Sequence, residues 1–134
     1  MTYLIDGTNA VRRLFQSSRR TSLAEEHAHM ESFLEWAGWM TARHRKKNVH
    51  FRVVFDGPPR AFETPKTDGV SLYFGEEGGA DRVLLDQARY LCHRGESIIL
   101  VTADQALARE ARSEGAESVR PEEFVRKFGS EPFL

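Results

Sequence analysis

SIILVTAD, residues 97–104, decides the fold. Ile98, Ile99, Leu100 and Val101 are apolar without alternation, the pattern of a strand covered on both faces. Such strands belong to parallel sheets, and the chain carries others. TYLI (2–5), HFRVVF (50–55) and VSLYF (70–74) are β-branched or aromatic runs bounded by Gly, Pro or Asp. A weaker strand is ESVR (117–120). Helical patterns fall between them. Ser22 and Glu25 form a capping box. It opens a helix whose Met30, Phe33, Leu34, Ala37 and Met40 make one stripe. Arg43, Arg45, Lys46 and Lys47 close it, as cations suit a helix C-terminus. Further helices run over 80–94 and 105–114, stopping at Gly95 and Gly115, and PEEFVRKF (121–128) starts on a proline. Strands alternating with helices predict a three-layer α/β/α sandwich with a mainly parallel central sheet, Rossmann-like in kind.

Composition sets the frame. A chain of 134 residues predicts one domain over 1–134. Hydrophobic residues at 40% and charged residues at 29% suit a water-soluble core-forming protein. No apolar run reaches the roughly 18 residues of a membrane span, and no secretory signal is visible. The lone Cys92 cannot form an internal disulfide and reads as a core residue. These features predict a cytoplasmic protein without membrane contact. The net charge of −1 hides an asymmetry. Residues 1–66 hold 11 Lys/Arg against 7 Asp/Glu, and residues 67–134 hold 8 against 13. An anionic partner on one face and cations at another are compatible with that separation.

Ligands of open parallel sheets bind beyond the carboxyl ends of the strands. The residues just past each strand are therefore the ones to weigh. Asp6-Gly7-Thr8-Asn9 succeeds the first strand, Asp56-Gly57-Pro58-Pro59 the second, Gly75 to Asp81 the third and Thr102-Ala103-Asp104 the fourth. Each acid has a local explanation. Asp6 and Asp56 suit turns, Asp81 suits a helix first turn, and Asp104 suits an N-cap. Four carboxylates brought within about 6 Å of one another nevertheless repel, and a cation relieves that repulsion. All-oxygen donors favour Mg²⁺ or Mn²⁺ over zinc. His27, His29, His44, His50 and His93 are scattered and read as surface or packing residues. A site of this kind suits phosphoryl chemistry with one or two ions.

YLIDGTN, VVFDGPP, VSLYFGEEGGADRVL and ILVTADQ, in that order, resemble the NYN branch of the PIN-like nucleases, and within it the bacterial YacP-like group. The likeness runs from Tyr3 to about Phe124. It implies a PIN-like fold and a metal-dependent endoribonuclease acting on RNA. It implies Asp6, Asp56, Asp81 and Asp104 as catalytic metal ligands, with Asn9 and Thr102 in support. It also implies partners among RNA, chiefly single-stranded, and the ribosome or RNA-processing factors. The group often carries a further acid one turn after the Ala-Asp pair. Here Leu85 stands there, and Asp86 falls on another face. Glu76 and Glu77 are candidate substitutes, with a solvated loop the favoured role for both.

Arg12, Arg13, Arg60, Lys66 and Arg82 stand near the acidic motifs, and Arg19 and Arg20 lie in a polar loop. They are candidate phosphate contacts, with Arg12, Arg13 and Arg82 foremost. Phe15, Phe62 and Tyr73 are candidate stacking surfaces, with core packing the rival role for Phe15 and Tyr73. Trp36 and Trp39 sit at the edge of the helix stripe, as core cover or partner surface. Two other functions compete. One is an RNA-binding module of the same fold without turnover. The other is a receiver-like phosphoacceptor. That class expects paired acids after strand one and a late lysine, and no lysine lies between 67 and 126.

Overall fold

The computed structural model describes residues 1–64, 67–76 and 79–129. Lys66 and Glu77 lie outside them. The order of elements is β1 (Thr2–Asp6), α1 (Gly7–Leu14), α2 (Leu23–Arg43), β2 (His50–Asp56), β3 (Val70–Gly75), α3 (Gly79–His93), β4 (Ile98–Val101), α4 (Gln105–Ser113), β5 (Glu117–Val119) and α5 (Pro121–Phe128). The strands form one sheet in the order β3-β2-β1-β4-β5. Every pairing is parallel, with Ile5 opposite Val53 on one side and Val101 on the other. The three-layer arrangement expected from the sequence is therefore present.

Strand alternation builds the two apolar layers. Tyr3, Ile5, Phe51, Val53, Phe55, Ile99 and Val101 face α1, α2 and α5, where Val11, Phe33, Met40 and Phe124 meet them. Leu4, Val54, Ile98 and Leu100 face α3 and α4, against Leu84, Leu91, Leu107 and Ala111. Both faces are covered, so the central strands carry no polar side. β1 and β4 consequently read as continuous apolar runs, and parallel pairing sends the acid-bearing strand ends to one edge.

Three local features refine the sequence reading. The capping box at Ser22 and Glu25 forms as expected. The helix it opens ends at Arg43, and Arg45–Lys47 form a separate 3-10 turn that stops at a left-handed Asn48. Trp36 is a core residue, in ring contact with Phe33, Phe51 and Phe124, whereas Trp39 is exposed. Among its described residues the β2–β3 connection carries no helix, and it lays Phe62 over Phe55 and Phe74. The packing role foreseen for the histidines holds for His27 on Phe62, His29 on Phe15 and His44 on Phe128.

Candidate active site

Gly7 lets the site start. A Cβ there would lie 2.7 Å from the Phe55 ring and 2.9 Å from the Val54 carbonyl oxygen. Only glycine lets α1 begin directly against β2. The chain turns from strand to helix at Asp6, whose carboxylate is buried. Thr102, at the end of β4, donates its hydroxyl to Asp6 Oδ2 at 2.8 Å. The same hydroxyl accepts from the Asp104 N–H at 3.1 Å. Asn9 Oδ1 accepts from the Ala103 N–H at 2.9 Å, tying the α1 start to the β4–α4 turn. Asn9 and Thr102 thus position the neighbouring strand ends.

Thr8, which the sequence reading did not single out, has a matching role. Its Oγ1 accepts from the Asp56 N–H at 2.9 Å. Asp56 Oδ1 in turn accepts from Ala80 N at 2.9 Å, holding the start of α3 beside β2. Gly75 permits that approach, since a Cβ there would sit 2.4 Å from Ala80 N. Asp81 comes next, in the first turn of α3. Asp104 caps α4, accepting through Oδ1 from Ala106 and Leu107. The N-cap expected of Asp104 is present, whereas Asp56 uses its oxygen on Ala80 N, 24 residues away, rather than on its own turn, so one oxygen of each is accounted for. The other oxygen has no hydrogen bond among the described residues.

The electrostatics bind the group together. Burial pushes the Asp6 carboxyl up to about 6, and Asp81 and Asp56 push the same way. The Thr102 hydroxyl opposes this, as does the nearby Asn9 N–H, which stops short of a cap hydrogen bond. Asp81 is also raised, by burial first and then by Asp104, Asp56 and Glu110. Asp56 and Asp81 thus act on Asp6, and Asp56 and Asp104 act on Asp81, with Asp6 buried and the other three exposed. Glu110, on α4, is an addition. Its signal lay in the packing of α4 beside α3, which no local spacing carries. Among the described residues, no three His, Cys, Asp or Glu side chains stand ready-made around one point. Hydrogen bonds hold Asp6, Asp56 and Asp104 to the fold.

The cations distribute unevenly. Arg12 pairs with Glu26 at 3.0 Å and Arg13 with Glu122 at 2.7 Å, so both of these foremost candidates already have carboxylate partners. Arg60 and Arg82 are exposed with no ion pair among the described residues. Asp86 is exposed and pairs with Arg89 at 3.8 Å, apart from the acid cluster. Glu76 is exposed. Phe15 stacks on His29, and Tyr73 faces Arg52, so both are packed within the protein.

A family model described as the YacP-like NYN domain matches residues 3–132. The fold is similar to a crystal structure of Rae1 (YacP) from Bacillus subtilis, with TM-score 0.72 at 17% identity, covering 97% of this chain and 74% of that one. A W164L mutant of the same protein gives TM-score 0.72 at 19% identity, covering 97% and 75%. At such identity the likeness carries the fold. A search of curated protein sequences finds no significant match.

Proposed function

The chain belongs to the YacP-like NYN domain family, and from that premise we propose that it is a metal-dependent endoribonuclease. It hydrolyses phosphodiester bonds of single-stranded RNA at the carboxyl edge of the sheet, in the cytoplasm, on RNA held by the ribosome or by processing factors. Family membership supports a nuclease of some kind; the metal dependence rests on the acidic edge, and the internal cut and the RNA on the motif resemblance. One observation carries the reading: Asp6 at the end of β1, Asp56 at the end of β2, Asp81 in the first turn of α3 and Asp104 at the cap of α4 stand along one edge of the sheet, and Asp81 and Asp56 add to the burial that lifts the Asp6 carboxyl to about 6. Acids that raise one another's proton affinity along one sheet edge are relieved when a cation joins them.

Asp6, Asp56, Asp81 and Asp104 would hold Mg²⁺ or Mn²⁺, an all-oxygen set suited to either. Such an ion, when bound, offsets charge at the scissile phosphate and supplies an acidified water. The protein's own part is positional. Thr102 fixes one Asp6 oxygen by its 2.8 Å bond, and Thr8 and Asn9 hold the neighbouring strand ends in register. The exposed Arg60 and Arg82 supply phosphate contacts. Arg12 and Arg13 join them only by leaving Glu26 and Glu122.

One observation favours a second reading, an RNA-binding module with little turnover: Leu85 stands where a further helix acid would complete the set. Cleavage separates the two. Wild type and Asp6→Asn are incubated with mixed-sequence single-stranded RNA in Mn²⁺, Mg²⁺ or EDTA. Internal cuts that need metal and vanish in the variant are expected. Metal-dependent binding without cuts points to the module, and wild-type cleavage by Asp6→Asn overturns the site.

A further inference from the structure

Trp39 takes part in neither the core nor the acidic edge. It lies on α2 and is 66% exposed, while Trp36, three residues earlier, is 4% exposed in the core. Neither core packing nor helix capping accounts for a large ring in water at this position. The chain that follows it is cationic. Arg43 lies at i+4, on the same helix face. Arg45, Lys46 and Lys47 come next, in the 3-10 turn held by the Lys47 N–H on the His44 carbonyl and the Asn48 N–H on the Arg45 carbonyl. All four cations are exposed, and none makes an ion pair among the described residues, although Arg12, Arg13, Arg89 and Arg94 all do. The helix dipole accounts for a cation at this end, but not for four of them beside an exposed tryptophan. Glu35, one turn before Trp39, is an exposed acid on the same face, so the cations lie only on the C-terminal side of the ring.

We propose that Trp39, Arg43 and the Arg45–Lys46–Lys47 turn form a second contact for single-stranded RNA, remote from the acidic edge. Trp39 stacks an unpaired base, and the four cations hold the flanking phosphates. An exposed aromatic among cations is the arrangement that grips unpaired strands without reading sequence. The proposal rests on the ribonuclease reading and adds a place for the substrate outside the cutting site. The basic turn leads straight into β2, which ends at Asp56. Seven strand residues at about 3.3 Å each put the two contacts roughly 20 Å apart along the sheet. An RNA long enough to reach both is gripped at the two ends of the sheet.

Intrinsic fluorescence tests this, because the exposed Trp39 responds to a stacked base and the buried Trp36 does not. Titration with single-stranded RNA is expected to quench the exposed emission, and the matching duplex to quench it far less. Trp39→Ala weakens binding about tenfold, and Trp39→Phe restores most of it. Lys46→Ala with Lys47→Ala lowers the salt slope of binding by about 1.4, at about 0.7 per single-strand phosphate contact. Cleavage is measured on the same samples. RNA cut and bound equally by wild type and Trp39→Ala, with no quenching, overturns this contact and leaves the ribonuclease reading standing. RNA neither cut nor bound by wild type removes both. Quenching by phosphatidylserine vesicles and not by RNA makes the patch a lipid contact and overturns the proposal.

Discussion

Between pH 4 and 6 the Asp6 carboxyl keeps its proton in the folded chain and loses it in the unfolded one, because burial lifts it from 3.8 to about 6. The folded state then binds more protons, so stability falls as pH rises through this window. Above it the cost is complete, about 3 kcal/mol at 1.36 kcal/mol per pKa unit. Asp6→Asn removes that charge and keeps an oxygen for the Thr102 hydroxyl. In EDTA at pH 7 the variant is therefore expected to melt several degrees above wild type, and near pH 4 the two should coincide. Equal melting curves at pH 7 would mean that Asp6 is solvated. The four acids were legible in the sequence because each stands directly after a strand or at the helix start beyond it. The burial of Asp6 was not, since it depends on α1 and β4 closing over the turn. Thr8 was missed because a hydroxyl after Asp-Gly has a sufficient local use. The ion pairs of Arg12 and Arg13 join residues 14 and 109 positions apart, and nothing local announces them.

At the scale of elements, the strands and helices were readable because both sheet faces are covered and the helices carry their own stop signals. The Ser22 box, Gly95, Gly115 and Pro121 all act where the sequence puts them. Helix geometry alone did not resolve the edge of α2: Trp36 turns into the core through Phe51 and Phe124, which arrive from distant segments. The meeting of β3 and α3 gives a sharper test. A Cβ on Gly75 would stand 2.4 Å from Ala80 N and from the Gly79 carbonyl carbon. Backbone cannot swing aside as a side chain does, so Gly75→Ala must push the start of α3 outward. That breaks the 2.9 Å bond from Ala80 N to Asp56 and displaces Asp81 with its helix. A destabilisation of about 1–3 kcal/mol is expected, with metal-dependent cleavage lost more completely than stability. A variant with wild-type melting and wild-type cleavage would show that α3 has room to spare.

The whole molecule separates its charges along the strand direction. Parallel pairing delivers the carboxylates to one edge, and the α2–β2 junction puts the Arg45–Lys47 turn at the other. The charge asymmetry between the two halves of the sequence does not map onto these edges: Asp6 and Asp56 come from the cationic half, and only the strand order brings them to the edge of Asp81 and Asp104. Four coupled acids in a metal-free protein are a standing repulsion, and a divalent ion that binds the folded state alone stabilises it by mass action. At 100 times its dissociation constant that amounts to about 2.7 kcal/mol. For a chain of this size the melting temperature should rise by about 10 °C in Mn²⁺, and EDTA should reverse it. Asp6→Asn should begin from a higher melting point and gain little from the ion. The gain in wild type should shrink as pH falls through about 6, where the Asp6 proton competes with the metal. A rise of the same size in Asp6→Asn would place the ion elsewhere on the protein. No rise in wild type with either Mn²⁺ or Mg²⁺ would mean that the acids repel one another uncompensated, and the binding-module reading would take precedence over the nuclease.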